Sequence, residues 1–328
     1  MHPTIEHITF LGESAVRVTT EKLEGVVVPA WGSNLISLTW RPTGQPLLRT
    51  PATAEAYHAR TTLHGMPILF PPSRIAGGTF RFRGREYRFP MPDPARPYHI
   101  HGVLMREPWR LSEAAVDGEE AYVETTIVAE ETPAVYAALP HRFTVRQRFR
   151  FTTDAVELRF VLESRDEEAM PWGLGYHTTF LLPLPGGDLS RCTLQLRADK
   201  TWALDEQLLP SGELVDNPYR DAMAAGLPLD RVELDDVFLA SPDAPFEAIL
   251  TDAGAGLRIR YEGDRRYFTQ WVLYNGKGKP DRGFFCPEPL TWVPNAPNVN
   301  APAELTGLQA LEPGASAEVV SKLTISEV

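Results

Sequence analysis

The dominant pattern along the chain is an alternation of apolar and polar residues with a period of two, which is typical of β-strands with one buried face. Thr79–Arg83 and Glu86–Phe89 alternate on either side of Gly84, which predicts a hairpin. The same alternation recurs in Phe143–Phe151, Val156–Glu163, Leu257–Tyr261 and Phe268–Tyr274. Strands are therefore expected from end to end.

Helical patterns are scarce, and we predict only two short helices, within Ala52–Arg60 and Tyr219–Ala225. The 30 prolines and 24 glycines supply turn signals at the spacing expected between strands. We find no internal repeat and no linker of distinct composition. The sequence thus predicts an all-β protein, a sandwich or a barrel, with residues 1–328 forming a single domain.

Two long segments are predicted to lack regular secondary structure. Pro90–His101 is too rich in proline for a central strand, and Asn275–Ala303 is rich in glycine, proline and asparagine. Long ordered loops on a β scaffold are where functional sites usually lie. We therefore expect these segments to contribute to a site.

Charge and composition exclude several kinds of partner. The net charge of −11 argues against nucleic acid and against an anionic membrane surface. No run approaches the ~18 apolar residues of a membrane span, and the N-terminus lacks the pattern of a secretory signal. We expect a cytoplasmic protein. Cys192 and Cys286 allow one disulfide arithmetically, but reduced thiols are the simpler expectation.

Three segments carry most of the candidate chemistry. They are Tyr98–Gly102 with His101, Gly173–His177, and the tripeptide Pro287-Glu288-Pro289. An imidazole with a pKa near ~6.5 suits general acid or base catalysis, and two prolines would fix the glutamate on a stiff loop as a base. Each residue also has a simpler interpretation. His101 could have a surface or structural role, His177 could be a hydrogen-bonded residue of the core, and Glu288 could be an ordinary solvated side chain.

Other polar and aromatic residues have weaker signals. His99 and His101 are two apart and share one face of a strand, as metal ligands do, but no third ligand is evident, so we predict no metal. Arg74 is suited to sugar hydroxyls or phosphates, although a surface arginine is the alternative. Trp271, with Trp172 and Trp292, is a candidate platform under a sugar ring, although aromatic residues in strands usually pack in cores.

Several enzyme classes find no support in the sequence. There is no phosphate-binding Gly-x-x-x-x-Gly-Lys-Ser/Thr loop, no Gly-x-Gly-x-x-Gly motif that opens a helix and no Gly-x-Ser-x-Gly elbow. The two cysteines are isolated, so no zinc signature is present. We predict no cofactor.

Five segments, taken in order, resemble motifs of the aldose 1-epimerase (galactose mutarotase) family. They cover most of the chain: 65–75 (Gly-Met-Pro-Ile-Leu-Phe-Pro…Arg-Ile), 100–109 (Ile-His-Gly…Trp), 175–177 (Gly-Tyr-His), 234–238 (Leu-Asp-Asp-Val-Phe) and 288–294 (Glu-Pro…Thr…Pro). The resemblance implies a large twisted antiparallel β-sandwich with an open carbohydrate cleft. It also implies that the protein interconverts the α and β anomers of an aldose.

The resemblance assigns roles by position. His177 would be the general acid at the ring oxygen, Glu288 the general base at the anomeric hydroxyl, and His101 would assist at the ring oxygen or orient the sugar. Arg74 and Asp235 would hold hydroxyl groups, and we add Trp271 as a substrate-binding candidate. A small sugar would be the partner, bound by a monomer or a homodimer.

Departures from the family pattern leave the sugar open. Ser73 stands where asparagine is common, Val103 follows Gly102 where a second glycine is typical, and Lys277 and Lys279 form a basic loop. The substrate would be a free aldose, an acidic sugar or a sugar phosphate, the last as in hexose-6-phosphate epimerases. The alternatives of another class are a non-catalytic carbohydrate-binding protein and a glycosidase that uses two carboxylates, Asp235 and Glu288.

Overall fold

A computed structural model describes residues 2–328, and strands dominate it. In chain order the strands are β1 Thr4–Phe10, β2 Glu13–Thr19, β3 Leu23–Val28, β4 Asn34–Trp40, β5 Gln45–Pro46, β6 Ile68–Leu69, β7 Arg74–Ala76, β8 Thr79–Phe82, β9 Arg85–Arg88, β10 Tyr98–Ile100, β11 Arg110–Asp117, β12 Glu120–Val128, β13 Phe143–Phe151, β14 Ala155–Ser164, β15 Met170–Trp172, β16 Gly175–Tyr176, β17 Phe180–Leu181, β18 Cys192–Leu196, β19 Lys200–Leu204, β20 Pro210–Asp216, β21 Leu227–Pro228, β22 Asp235–Leu239, β23 Glu247–Asp252, β24 Leu257–Gly263, β25 Gln270–Tyr274, β26 Phe284–Leu290, β27 Gln309–Leu311 and β28 Ser316–Glu327.

Helices are short. The α-helices are α1 Ala54–Ala59, α2 Pro133–Ala138, α3 Arg220–Ala225 and α4 Ala303–Thr306. Single 3₁₀ turns occur at Pro29–Trp31, Thr61–Leu63, Leu104–Arg106, Ala129–Glu131, Leu189–Arg191, Leu229–Arg231 and Ala296–Asn298. Within residues 2–328, none of the helices has the length and apolar character needed to cross a bilayer.

Three larger sheets make up the architecture. The first holds β1 to β5 in chain order, and the second has the order β11-β12-β13-β14-β28-β24-β23-β18-β21. The third has the order β20-β19-β22-β25-β26-β16-β6, with β17 also paired to β26. Named strands in residues 2–328 pair antiparallel, as in β13 with β14 and β25 with β26. The prediction of an all-β antiparallel sandwich is confirmed.

The period-two pattern corresponds to burial in the nine-stranded sheet. Along β13 every second residue is buried, and the intervening arginines point outward. Arg146, Arg148 and Arg150 pair with Glu163, Glu124 and Glu120 on the neighbouring strands. The alternation therefore reports one apolar face and one face of cross-strand ion pairs.

Contacts between the second and third sheets build the core. The hydroxyl of Tyr176 in β16 donates to Gln147 Oε1 in β13 at 2.9 Å, where both residues are buried. Phe70 packs against Phe143 and Phe160 with ring centroids 5.9 and 5.8 Å apart. Aromatic packing and one buried polar contact thus fix the third sheet, which carries the site, over the second.

Most local predictions from the sequence are confirmed. The hairpin predicted around Gly84 is β8 and β9, and the alternating runs are β13, β14, β24 and β25. The two predicted helices are α1 and α3, each shorter than its predicted segment. Helices α2 and α4 escape prediction, because each is short and has no amphipathic pattern. The segment Pro90–His101 is irregular except for β10.

The prediction that Asn275–Ala303 is irregular throughout is wrong, because the fully buried strand β26 lies within it. Glu288 is therefore on a strand in the interior of the third sheet and not on a loop. The prolines beside it argue against a central strand when only the sequence is considered.

The register explains why β26 tolerates its prolines. Thr291 N–H donates to Leu174 O, so odd-numbered residues of this region face β16 and β17. Residues 176–179, which lie opposite Pro287 and Pro289 on this side, do not pair with β26. The missing N–H groups of the two prolines therefore break no ladder hydrogen bond.

The Tyr176–Gln147 contact gives a test of the packing between sheets. Replacing Tyr176 by Phe leaves the buried Gln147 oxygen without its donor, so we expect the free energy of unfolding to fall by ~1–3 kcal/mol. Tyr136→Phe is the control, because this ring on α2 is 42% exposed. Denaturant unfolding measures both, and equal effects would contradict the role of the contact.

Candidate active site

Five of the six predicted site residues line one cavity of about 670 Å³. Each comes from a different part of the chain: Arg74 from the start of β7, His101 just after β10, His177 just after β16, Asp235 from the start of β22 and Glu288 from β26. Folding thus brings together residues that are far apart in sequence.

Small residues set the position of His177. A Cβ on Gly175 would lie 2.3 Å from the Leu290 side chain, and one on Gly173 would lie 2.5 Å from the Trp292 ring. The glycines therefore allow this segment to pack directly on β26 and the residues after it. His177 follows directly, and its N–H donates to Pro67 O at 3.0 Å, which continues the pairing of β16 with β6.

His101 is held in an unusual backbone conformation. Its φ is +66°, in the left-handed region, and its N–H donates to Ser73 O at 2.8 Å. The next residue, Gly102, also has a positive φ, and a Cβ there would lie 2.0 Å from Phe70 O. The turn is therefore pressed against the segment that carries Arg74, and it directs His101 into the cavity.

The central contact of the site joins His177 and Glu288. His177 Nε2 lies 3.2 Å from Glu288 Oε1, and the two residues are 4% and 2% exposed. The His101 ring meets the His177 ring edge to face, with centroids 5.1 Å apart. An acid and a base are thus adjacent in a place largely closed to water.

Burial shifts the ionisation of this pair. Desolvation lowers the pKa of His177 from 6.5 to about 4 and raises the pKa of Glu288 well above its usual 4.5. The carboxylate of Asp235 raises the Glu288 pKa further, and Arg74 opposes this. Burial also lowers the pKa of His101, with help from the neighbouring cations. His101 is therefore neutral near pH 7.

Arg74 and Asp235 form a second polar pair in the cavity. Arg74 Nη2 lies 3.7 Å from Asp235 Oδ2, and the guanidinium lies 5.5 Å from the centre of the Tyr98 ring. Burial raises the pKa of Asp235, although Arg74 counteracts the shift. The pair offers both donors and acceptors to a ligand.

Four buried polar atoms of these residues have no hydrogen-bond partner within residues 2–328. They are Arg74 Nε, His101 Nδ1, His177 Nδ1 and Glu288 Oε2. Buried polar groups are normally paired, because an unpaired one costs about 1–3 kcal/mol. A ligand with several hydroxyl groups, each both donor and acceptor, would match this mixture.

Trp271 is not brought into the cavity. It precedes Val272, the cross-strand partner of Glu288, and so points to the opposite face of the sheet. There its ring stacks on Phe246 with centroids 4.3 Å apart and is fully buried. Trp172 and Trp292 are also buried and do not line the cavity. We therefore leave the tryptophan platform out of the site.

Other residues named from the sequence lie beside the site or away from it. His99 Nδ1 contacts Pro90 O at 2.7 Å, and His99 lines a smaller neighbouring cavity. Lys279 lines the main cavity, whereas Lys277 pairs with Asp236 at 3.6 Å. Cys192 and Cys286 are buried free thiols.

The cavity is also lined by Tyr274 and by a wall made of α1 and the turn Thr61–Leu63, none of which was predicted from the sequence as part of the site. Tyr274 lines the cavity with its ring centroid 6.5 Å from that of His177. It shares a face of the third sheet with Glu288, because its cross-strand partner is Cys286. The period-two pattern of Phe268–Tyr274 indicates which residues share a face of the strand. Only the pairing with β26 shows which of the two faces lines the cavity.

Within residues 2–328, no group of three or more His, Cys, Asp or Glu side chains is arranged to hold a metal ion.

Comparison with known proteins agrees with this fold. The family model for aldose 1-epimerase matches residues 14–324, so the chain belongs to the aldose 1-epimerase family. Two uncharacterized Escherichia coli K12 proteins are related in sequence. YihR is 25% identical over 240 residues (70% of this chain, 71% of YihR), and YphB is 24% identical over 287 residues (84% and 87%).

Solved structures share the fold over the whole chain. A galactose mutarotase-like protein from Clostridium acetobutylicum has a TM-score of 0.92 and 26% identity, covering 100% of this chain and 99% of its own. A galactose 1-epimerase from Lactobacillus acidophilus NCFM has a TM-score of 0.73 and 17% identity, covering 99% and 98%. At that identity the second similarity shows the fold alone.

Proposed function

We propose that the protein is an aldose 1-epimerase, which interconverts the α and β anomers of a sugar by acid–base opening of the ring. The observation that carries this proposal is the buried contact of 3.2 Å between His177 Nε2 and Glu288 Oε1 at the cavity wall. Membership of the aldose 1-epimerase family supports it.

The reaction needs one proton removed and one delivered. Glu288 takes the proton from the anomeric hydroxyl O1, while His177 gives a proton to the ring oxygen O5. The C1–O5 bond breaks, and C1 becomes the aldehyde carbon. After rotation about C1–C2, O5 attacks the other face of C1, returns its proton to His177, and O1 regains a proton from Glu288.

A shared proton keeps the net charge of the site constant through this cycle. Ring opening starts from an ionised Glu288 beside a protonated His177, and it ends with a protonated Glu288 beside a neutral His177. Both states of the pair carry zero net charge, so no charge is created in the buried site. Burial raises the Glu288 pKa and lowers the His177 pKa, so in the free site the proton is favoured on Glu288, and the ionised state that starts ring opening forms by transfer of that proton to His177.

The remaining polar groups position the sugar. His101 is neutral and in edge contact with His177, so it contacts the ring oxygen or orients the ring. Arg74 and Asp235 hold hydroxyl groups, and a bound hydroxyl would satisfy Arg74 Nε, which has no protein partner in the described chain. Fixing the sugar in this way removes the entropic barrier to bringing both oxygens to the pair.

Anomer exchange measured by NMR on equilibrated aldoses, with and without protein, tests the proposal. We expect faster exchange for at least one aldose in a panel of free and charged sugars. A sugar that binds while its anomers exchange at the uncatalysed rate would indicate a carbohydrate-binding protein and contradict the proposal.

Substitutions of the pair test its role. We expect His177→Asn and Glu288→Gln each to lower the catalysed rate by about 10²–10⁴-fold, because each removes one proton-transfer group. The double variant is expected to lose little more than either single variant, since the two groups act as one unit. His7→Asn and Glu206→Gln, both exposed and outside the cavity, are the controls. Independent, multiplicative losses would contradict coupled transfer.

The shared proton also predicts the pH dependence. Below about pH 4, the pKa of His177, the pair gains a second proton and no base remains. At high pH the pair loses its single proton and no acid remains, but only above the usual pKa of a glutamate, because burial raises that of Glu288. For an uncharged aldose we expect an acid limb near pH 4 and a basic limb above the usual pKa of a glutamate. An acid limb with its midpoint near 6.5 would instead indicate an unshifted histidine.

A further inference from the structure

Basic side chains outnumber acidic ones around the cavity, although the chain as a whole carries a net charge of −11. The basic residues in the lining are Arg60, Arg74, Arg96, Arg106 and Lys279, and the acidic residues are Asp235, Asp281 and Glu288. Burial favours the protonated form of Glu288, which makes the cavity more positive still. A neutral sugar does not require this excess of positive charge.

Most of these cations are paired within the protein. Arg74 pairs with Asp235 at 3.7 Å, and Asp281 contacts Arg49 at 2.7 Å and Arg60 at 3.9 Å. In contrast, Arg106 and Lys279 have no carboxylate within 4.0 Å anywhere in residues 2–328. Two cations of the cavity are therefore free to bind an anion.

Arg106 lies at the His101 end of the cavity. It ends the 3₁₀ turn that follows the His101-Gly102 turn, and its charge contributes to the lowered pKa of His101. Arg96 lies near it, because both line the main cavity and a neighbouring cavity of about 140 Å³. Arg96 Nε is oriented by Asp93 at 3.1 Å, which leaves its other donors available.

The covalent structure of the sugar determines which of its groups would reach the His101 end of the cavity. The ring oxygen is bonded to C5, and C5 carries C6. If His177 and His101 face the ring oxygen, the C6 substituent lies beside these two residues, at the end of the cavity where Arg106 lies. Arginine is the side chain best suited to bind the oxygens of a phosphate, sulfate or carboxylate.

We propose that Arg96 and Arg106 form a subsite for an anionic group on C6 of the sugar. The inference rests on the proposed epimerase function, because the assignment of the ring oxygen fixes the direction of C6. The shared chemistry is a C6 oxyanion. Phosphate, sulfate and carboxylate are the three sources that the experiment separates.

The experiment compares glucose and galactose with their 6-phosphates, 6-sulfates and uronic acids. Anomer exchange is measured by NMR with the uncatalysed rate of each sugar subtracted. We expect kcat/KM to be about tenfold or more higher for the preferred anion than for its neutral parent, and to fall with added salt only for the anion. Whichever of the 6-phosphates, 6-sulfates and uronic acids has the highest kcat/KM identifies the anionic group that the subsite binds.

Variants test where the anion binds. Arg106→Gln should lower the ratio of kcat/KM for the preferred anion to that for the neutral parent by about tenfold. Arg258→Gln, an exposed arginine on β24 outside the cavity, should leave the ratio unchanged. If Lys279→Gln lowers the ratio and Arg106→Gln does not, the anion binds beside Lys279 and the placement is wrong.

The outcomes separate this inference from the proposed function. If neutral sugars are exchanged as fast as their C6 anions, the subsite is overturned while the epimerase proposal stands. If no sugar, neutral or charged, is exchanged faster than without protein, both fall.

Discussion

The contact between His177 Nε2 and Glu288 Oε1, 3.2 Å long and almost fully buried, is the interaction on which the proposed chemistry depends. Burial alone would make a charged glutamate and a charged histidine unfavourable. Placed side by side, they need hold only one proton between them, and the pair stays neutral wherever that proton lies. The same closeness suits a substrate whose two reacting oxygens, O1 and O5, are attached to one carbon.

The fold maintains this contact through rigid neighbours. Glu288 lies on an interior strand held by β25, and His177 stands where β16 leaves that strand. Gly175 allows the close approach, and the prolines of β26 fall where no ladder partner exists. His101 is fixed from the other side by its bond to Ser73. A site built on sheet backbone can hold an acid and a base at a fixed spacing better than a site on mobile loops.

Much of this was predictable from the sequence, because strand periodicity is local and the glycine- and proline-flanked motifs are distinctive. Five of six predicted site residues share the cavity. The predictions that failed concern which face of a sheet a residue points to and which strands pair with each other. Trp271 and Val272 are neighbours, yet one packs in the core and the other lines the cavity, because a shift of one residue reverses the face of a strand. The face to which each of these residues points is set by partner strands distant in sequence. The same strands make Pro287–Pro289 part of a strand.

The most direct measurement of the central claim is the titration of His177 in the free protein. Proteins labelled with ¹⁵N-histidine can be followed by NMR across pH, with His177→Asn used to assign the signal. Because burial lowers its pKa, we expect His177 to titrate at about 4 and to show no change around 6.5. A midpoint near 6.5, unaffected by Glu288→Gln, would show that the two groups do not share a proton and would contradict the mechanism.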